Sequence, residues 1–339
     1  RVHDLLVDAS NQLMFVELNG IAIDREYLRT LSEEYLRRIN DIREDIQQLV
    51  GWEINPNSLL QVKKQLLAYR VRVDSTAVDT ITSLIEKVDG NDKYIDLLEF
   101  CQLLLKHRRE AKLYGTYLKG TTKRLYRGRV YPTFMLHGTT TGRLACRNPN
   151  LQNVPRESSI RKLYVPAKDG YVFVQVDYSQ AELRNLSFLA KDQYFRNIFN
   201  RGDRDLFDEL TPVLYPAARR NQLSSAQWKE LRIRIKAYVY GLSYGRTEFS
   251  IADEYNIPVS EARAGMRAFF EVIPEIVAFR DKVCQHVLNG NYLETPFGRR
   301  RRFGLITDQN KKEIMNEALA FLPQSTSSDM CLRATTWAR

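Results

Sequence analysis

The chain has 339 residues, 44% hydrophobic and 27% charged, near the averages of globular proteins, which excludes disordered and fibrous classes. The length fits two domains or three lobes, and no apolar run approaches the ~18 residues of a membrane span. Four cysteines (Cys101, Cys146, Cys284, Cys331) lie far apart without CxxC spacing, and four histidines form no ligand cluster. A disulfide framework and a thiolate zinc site are therefore excluded, and a reducing, cytoplasmic setting is expected. The first residue is Arg1, with no signal segment, which predicts a piece of a longer protein.

The formal net charge of +10 is unevenly spread. Residues 106–168 carry 15 Lys/Arg against only Glu110 and Glu157, a local net of +13. A solvated basic face would show such an excess. A polyanion track explains it better, because clustered cations gain from counterion release at phosphates. Tyr114, Tyr117, Tyr126 and Tyr131 interleave with these cations, as a surface touching sugars and bases requires.

In chain order, residues 24–119 read as an antiparallel helical pair or triplet. Leu28, Leu31, Tyr35, Ile39, Ile42, Ile46 and Leu49 recur at helical spacing, with Asp24 placed to cap the start and Gly51 to end it. A second helix is predicted from Tyr94 to Leu118, apolar at Ile95, Leu98, Cys101 and Leu105 and basic from Lys106, Arg108 and Arg109 onward. Residues 120–179 are punctuated by Gly and Pro and read as loops and short strands. They end in Tyr171–Val176, predicted as a buried strand with Asp177 at its C-terminal end. Gly115 to Thr121 has the glycine spacing of a phosphate loop but lacks its lysine, so that motif is set aside. Residues 180–339 read as helices broken at Pro212, Pro258, Pro274, Pro296 and Pro323.

Three constellations carry chemistry. The first is Asp177-Tyr-Ser-Gln-Ala-Glu-Leu-Arg184. A carboxylate at a strand end can hold a hard cation, since Mg²⁺ takes one or two carboxylates plus substrate phosphates; a single strand-ending Asp is equally an ordinary structural residue. Ser179 and Glu182 fit a capping box opening the next helix. The second is Leu231 to Gly245, where Arg232, Lys236 and Tyr240 share a helix face at about 6 Å of rise per step. Two cations followed by a ring suit an extended nucleotide, phosphates first and sugar next. The third is Thr139-Thr-Thr-Gly-Arg-Leu144 with Asn148-Pro-Asn-Leu-Gln-Asn-Val-Pro155, whose donors suit minor-groove acceptors.

Together these motifs, in this order and spacing, resemble the DNA polymerase I family (family A), including its phage members, over nearly the whole chain from Leu18 to Asp329. The resemblance implies an α+β multidomain, right-hand architecture. Residues 1–23 would lead into the palm, 24–120 form a helical thumb, 121–179 an antiparallel-sheet palm and 180–339 largely helical fingers, with the palm incomplete. It implies DNA synthesis from dNTPs on a primer–template by a monomer using two Mg²⁺ ions, held by Asp177 and Tyr178. Tyr178, Ser179, Gln180, Glu182, Arg232, Lys236 and Tyr240 would bind the dNTP, Lys236 also serving catalysis and Glu182 excluding the ribose 2′-hydroxyl. Lys112, Arg143, Asn150, Gln152, Asn153, Arg184, Tyr244, Gly245 and Gln324 would contact DNA. Arg299–Arg302 are similar to a basic segment of the family, and also fit a solvated face.

Two departures stand out. Phe207, in Asp205-Leu-Phe-Asp-Glu209, occupies a position where the family commonly has His, which removes one phosphate contact. The second catalytic carboxylate, in a His-Asp-Glu segment, is expected beyond Asp329, since Val2-His3-Asp4 mimics it at the wrong end and Asp308 and Asp329 lack a strand-end setting. Asp329 is read as lying in a Ser-rich helix start. The chain alone is therefore expected to bind primer–template DNA without adding nucleotides, and to aggregate through an uncovered apolar edge at Tyr171–Val176. A single-subunit RNA polymerase shares the palm logic, but Glu182 after Asp177-Tyr-Ser argues against it. A non-catalytic basic nucleic-acid-binding module would explain the +13 stretch but not Asp177, Arg232 and Lys236 together.

Overall fold

A computed structural model describes residues 1–155, 158–202, 205–216, 218, 222–243, 245–255 and 257–337, without the side chains of Ser158, Ala237, Tyr240, Leu242 and Ser243. The chain divides into two compact units. One comprises residues 15–134 and 146–174; the other comprises 1–14, 135–145 and 175–339. The boundary passes through the first helix, α1 (Val2–Asn19).

The first unit opens with strand β1 (Ile21–Ile23) and helix α2 (Arg25–Val50). The reading of α2 holds at both ends. The Asp24 carboxylate accepts the Tyr27 N–H at 2.9 Å, and Gly51 closes the helix at φ 77°, a conformation open to glycine at little cost. Helices α3 (Leu59–Ala68), α4 (Val78–Val88) and α5 (Ile95–Leu113) follow. Ile42, Ile46, Val62, Leu66, Ile81, Phe100 and Leu104 form their shared core, so the apolar seams of α2 and α5 face each other. Arg108, read as part of the basic end of α5, is a structural clamp instead. Its guanidinium donates to the Pro56 carbonyl at 2.9 Å and to Thr76, and burial lowers its pKa.

The expected loop at Gly120 is helical. From α5 the chain passes through one widened π-type segment, Tyr114–Lys119, into α6 (Gly120–Arg124). A side chain at Gly120 would press on the Gly115 carbonyl at 3.3 Å, so the missing Cβ lets the turn close. Thr122 and Arg124 then donate back to the Leu118 and Gly120 carbonyls. Beyond lie β2 (Arg129–Val130), β3 (Thr133–Met135), β4 (Ala145–Arg147), α7 (Ser158–Arg161) and β5 (Tyr164–Val165). Strand β1 pairs antiparallel with β2 (Ile21 with Val130) and with β5 (Ala22 with Val165). Leu28, Leu31, Tyr35, Leu118 and Ile160 pack beneath this small sheet.

Tyr171–Val176 is a correction. The run forms no strand and is exposed, Val174 at 82% and Val176 at 89%. A strand needs ladder partners for its backbone N–H and C=O groups, and no described strand pairs with it. The run is thus an exposed apolar segment and not the sheet edge expected, and Asp177 follows it rather than a buried strand.

The second unit is built from α8 (Ala181–Ala190), α9 (Gln193–Arg201), α10 (Leu206–Leu214), α11 (Ser225–Ser243), α12 (Glu248–Tyr255), α13 (Val259–Val272) and α14 (Pro274–Leu288). A hairpin, β6 (Leu293–Glu294) with β7 (Arg300–Arg301), leads to α15 (Lys311–Trp337). Leu183, Phe195, Leu210, Ile235, Val239, Ile251, Phe269 and Ile276 form the main core. Pro258 and Pro274 stand at helix starts, as read, and Pro296 lies in the turn of the hairpin. Pro212 and Pro323 instead lie inside helices, and α15 runs unbroken for 27 residues. Each proline removes one helical hydrogen bond, and the buried surroundings of Pro323 outweigh that loss.

One buried group couples this unit to pH. Asp192 caps α9 by accepting the Phe195 N–H at 2.7 Å and is fully buried. Burial, and then the nearby Glu275 carboxylate, push its pKa up to about 6. A raised folded-state pKa favours folding at acid pH, and that contribution is lost as pH rises through about 6. The urea midpoint should therefore fall between about pH 4 and pH 6, and Asp192→Asn, which keeps the cap, should flatten this dependence.

Candidate functional site

In the unit holding residues 175–339, the loop Thr139-Thr-Thr-Gly-Arg143 is fastened to α15. Ser325 donates to the Thr141 carbonyl at 2.7 Å and Ser328 to the Gly142 carbonyl at 2.6 Å. Thr139 closes the loop by donating to the Arg143 carbonyl at 2.9 Å. Gly142 has φ 74°, and a Cβ there would strike the Arg299 guanidinium, so glycine is required twice over. Arg299 is held in turn by Asp329, with Nε and Nη2 at 3.0 and 2.6 Å from one carboxylate oxygen. Asp329 is fully buried in the middle of α15, not at a helix start, and Thr295 donates to its other oxygen at 3.4 Å. The rest of the basic run is ion-paired at the surface: Arg300, which is exposed, meets Glu294, and Arg301 meets Glu317.

The loop delivers Arg143 to Glu182. These two residues, read as a DNA contact and a sugar gate, form an ion pair. The capping box is not formed. Gln180, in the left-handed region at φ 53°, stands at the N-cap of α8 without a side-chain cap bond, and Glu182 turns to Arg143 instead. The stronger charge-assisted partner wins over a backbone N–H. Arg184 donates from Nε to the Ser179 carbonyl at 2.9 Å and lies 4.5 Å over the Phe199 ring. Asn185 ties α8 to α15 by donating to Ser327 at 2.8 Å.

Asp177 and Tyr178 are exposed. Cys331, which the sequence reading passed over, has its thiol pKa pushed up by burial and then by the Asp177 charge, while Arg143 lowers it, so both residues lie within electrostatic reach of it. No group of three or more His, Cys, Asp or Glu side chains among the described residues could hold a metal. Asp329 is committed to Arg299. The exposed Asp177 carboxylate is a hard oxygen donor of the kind Mg²⁺ takes together with ligands from elsewhere.

Helix α11 carries the second constellation. Ile235, Tyr238 and Val239 are buried in the core, and Trp228, Arg232 and Lys236 run four residues apart along the stripe beside them, against the start of α10. Arg232 pairs with Asp205 at 2.9 Å and Asp208 at 3.4 Å, both at the start of α10. Lys236 lies 5.2 Å from the centre of the Phe207 ring. The side chain of Tyr240 and all of Tyr244 lie outside the described residues. Gly245 has φ 90°, and a Cβ would strike the Asn316 carboxamide, so only glycine fits. Gln324 is half-buried in α15.

The remaining predicted contacts belong to the other unit. Lys112 is exposed near the end of α5. Asn150 accepts the Gln152 N–H at 3.1 Å in a tight turn, and Tyr117 donates to the Asn153 carbonyl. This fixes the turn while leaving the Gln152 and Asn153 side chains exposed. Arg127 stacks 5.2 Å over Tyr126, and Lys168 lies 5.8 Å from Tyr171, so cations and rings do interleave along this stretch.

The sequence pattern of DNA polymerase family A matches residues 25–337. The chain belongs to this family. It is 29% identical over 325 residues to DNA polymerase I of Helicobacter pylori (strain J99 / ATCC 700824), covering 94% of the chain and 35% of that protein. The thermostable DNA polymerase I of Thermus aquaticus is 30% identical over 302 residues, covering 85% and 35%. The chain thus spans about a third of the length of these curated relatives. Among solved structures, the POL domain of Pol1 from M. smegmatis in complex with DNA primer-template and dNTP matches with a TM-score of 0.82 at 27% identity, over 97% of the chain and 58% of that protein. The family A chain accordingly has a polymerase-domain fold, largely helical with small antiparallel sheets.

Removing one partner of the buried pair leaves a charge without compensation. Asp329→Ala should lower stability by about 3–5 kcal/mol, read as a fall in the urea midpoint, whereas loss of the exposed pair Arg300–Glu294 should cost under about 1 kcal/mol.

Proposed function

We propose that the chain is the nucleotide-gripping and template-holding part of a template-directed DNA polymerase, which joins a primer 3′-hydroxyl to the α-phosphate of a dNTP. The observation that carries this is that Arg232 and Lys236 share one face of α11, within a chain matched to family A from residue 25 to 337. In this reading residues 24–120 are the thumb, 121–179 the palm with 1–23 leading into it, and 180–339 the fingers. The proposed partners are primer–template DNA and dNTPs, met by a monomer in the cytoplasm of a bacterial or phage-infected cell. No described helix is long and apolar enough to cross a membrane.

Each residue then has a physical task. Arg232 and Lys236 bind the triphosphate and hold the α-phosphate in line with the primer end, which turns a bimolecular encounter into a near-attack geometry. Tyr240, one turn further along α11, meets the sugar, while Tyr178, Ser179 and Gln180 line the approach to it. Glu182, fixed by Arg143, fills the space a ribose 2′-hydroxyl would need. Lys112, Arg143, Asn150, Gln152, Asn153, Arg184, Tyr244, Gly245 and Gln324 hold the duplex and template base. Asp177 and Tyr178 would hold Mg²⁺ through oxygen ligands, with further ligands from substrate phosphates. Bound Mg²⁺ supplies Lewis-acid stabilisation of charge on the attacking and leaving oxygens.

In the whole protein, Lys236→Ala removes a charge-assisted contact worth roughly 1.5–3 kcal/mol, so nucleotide use should fall about 10–150-fold while duplex affinity barely changes. Steady-state primer extension beside DNA-binding titration checks this; an equal loss of both refutes the grip. Glu182→Ala should admit ribonucleotides while retaining some dNTP incorporation. A purely nucleic-acid-binding module would show salt-sensitive DNA affinity and no response to either substitution in extension.

A further inference from the structure

Where α11 meets the start of α10, Arg232 is already ion-paired in the structure. Arg232 is met by Asp205 and Asp208 from the start of α10, and Lys236 lies over the ring of Phe207, which adds no charge. The two carboxylates have different duties. Asp205 is the N-cap of α10, with Oδ1 accepting the Phe207 N–H at 2.9 Å and the Asp208 N–H at 3.3 Å, while Oδ2 takes Arg232. It is bound into the helix end. Asp208 caps nothing. Its Oδ1 receives Arg232 at 3.4 Å and the Trp228 indole N–H at 3.2 Å, and its side chain is the more exposed of the two. Trp228, Arg232 and Lys236 are spaced four residues apart on α11, so Asp208 sits at one end of this row and Phe207 seats Lys236 further along it.

We propose that Asp208 is a positioning residue for nucleotide binding: it holds Arg232 extended along α11 as an exchangeable counter-ion, and a triphosphate takes its place. The proposal rests on the reading of Arg232 and Lys236 as the triphosphate grip. The exchange is favoured by charge and geometry together. A partly exposed ion pair is weak and easily broken. A triphosphate offers several oxygens to both cations at once, and its charge-assisted contacts are shorter and stronger than the 3.4 Å contact it displaces. Arg232 therefore waits in an ordered rotamer without being neutralised irreversibly, and Asp205 keeps one of its nitrogens anchored. Holding the side chain ready lowers the ordering cost of binding, and holding it weakly keeps the competing term small.

The exchange has a built-in reporter. Because Trp228 donates to the same Asp208 oxygen, release of Arg232 alters the indole's hydrogen-bonded, charged surroundings. The chain should be titrated with sodium tripolyphosphate in Mg²⁺-free buffer while tryptophan emission is followed. Trp228→Phe identifies the share of the signal that comes from this ring. In the unsubstituted chain emission should change with saturation. Asp208→Asn, which removes the competing charge, should bind tripolyphosphate about twofold to fivefold more tightly, and Asp208→Glu should restore the original affinity. Unchanged or weaker binding by Asp208→Asn overturns the proposal. Arg232→Ala and Lys236→Ala separate the two levels. If both bind tripolyphosphate as well as the unsubstituted chain, the grip itself is wrong and the counter-ion role falls with it. If both weaken binding while Asp208→Asn does not strengthen it, the grip stands and the counter-ion role alone is refuted.

Discussion

A fully buried carboxylate in the middle of a 27-residue helix sets the geometry on which the candidate site depends. A carboxylate buried in that position needs a compensating partner, and Arg299 supplies it with two hydrogen bonds from the β6–β7 hairpin. The guanidinium so fixed leaves room at position 142 for a hydrogen and nothing larger. Ser325 and Ser328, a few residues away on α15, then take the two carbonyls this loop would otherwise leave unpaired. Arg143 is thereby presented to Glu182 from a loop with little freedom. One electrostatic necessity passes through a hairpin, a glycine and two hydroxyls to reach a residue proposed to choose between sugars.

The same accounting shows how the basic excess is divided. A count of cations along residues 106–168 treats them alike, yet Arg108 is consumed by the Pro56 and Thr76 carbonyls and Arg124 by Gly120. Lys112, by contrast, is exposed. Charge seen in sequence is an upper limit on charge offered to a polyanion, because guanidinium groups also serve as internal hydrogen-bond donors.

Local rules made much of the molecule legible from sequence. Asp24 and Gly51 bracket α2 because a cap needs only its own neighbours, and the seam from Leu28 to Ile46 is periodic enough to name its buried face. The common face of Arg232 and Lys236 followed from spacing alone. Errors arose where distant partners decide. Tyr171–Val176 has the composition of a buried strand, but pairing is a property of two strands and none of those described pairs with it. Ser179 and Glu182 satisfy the pattern of a capping box, yet Arg143, 39 residues away in sequence, offers Glu182 a better partner. Pro323 should break a helix by local reasoning, and burial of its neighbours keeps α15 whole. The acidic partners of Arg232 were visible only as a charged turn, since nothing in Asp205-Leu-Phe-Asp208 says which helix it faces.

The widened segment Tyr114–Lys119 has a geometric consequence. Successive residues of an ordinary α-helix are turned by about 100°, so one added residue rotates everything beyond it by that angle. The last basic turn, with Lys119, Lys123 and Arg124, is therefore aimed in a different direction from the one that the periodicity of α5 would give it. The bulge acts as a wrist: a one-residue change of length would leave the helix helical and point its terminal cations elsewhere.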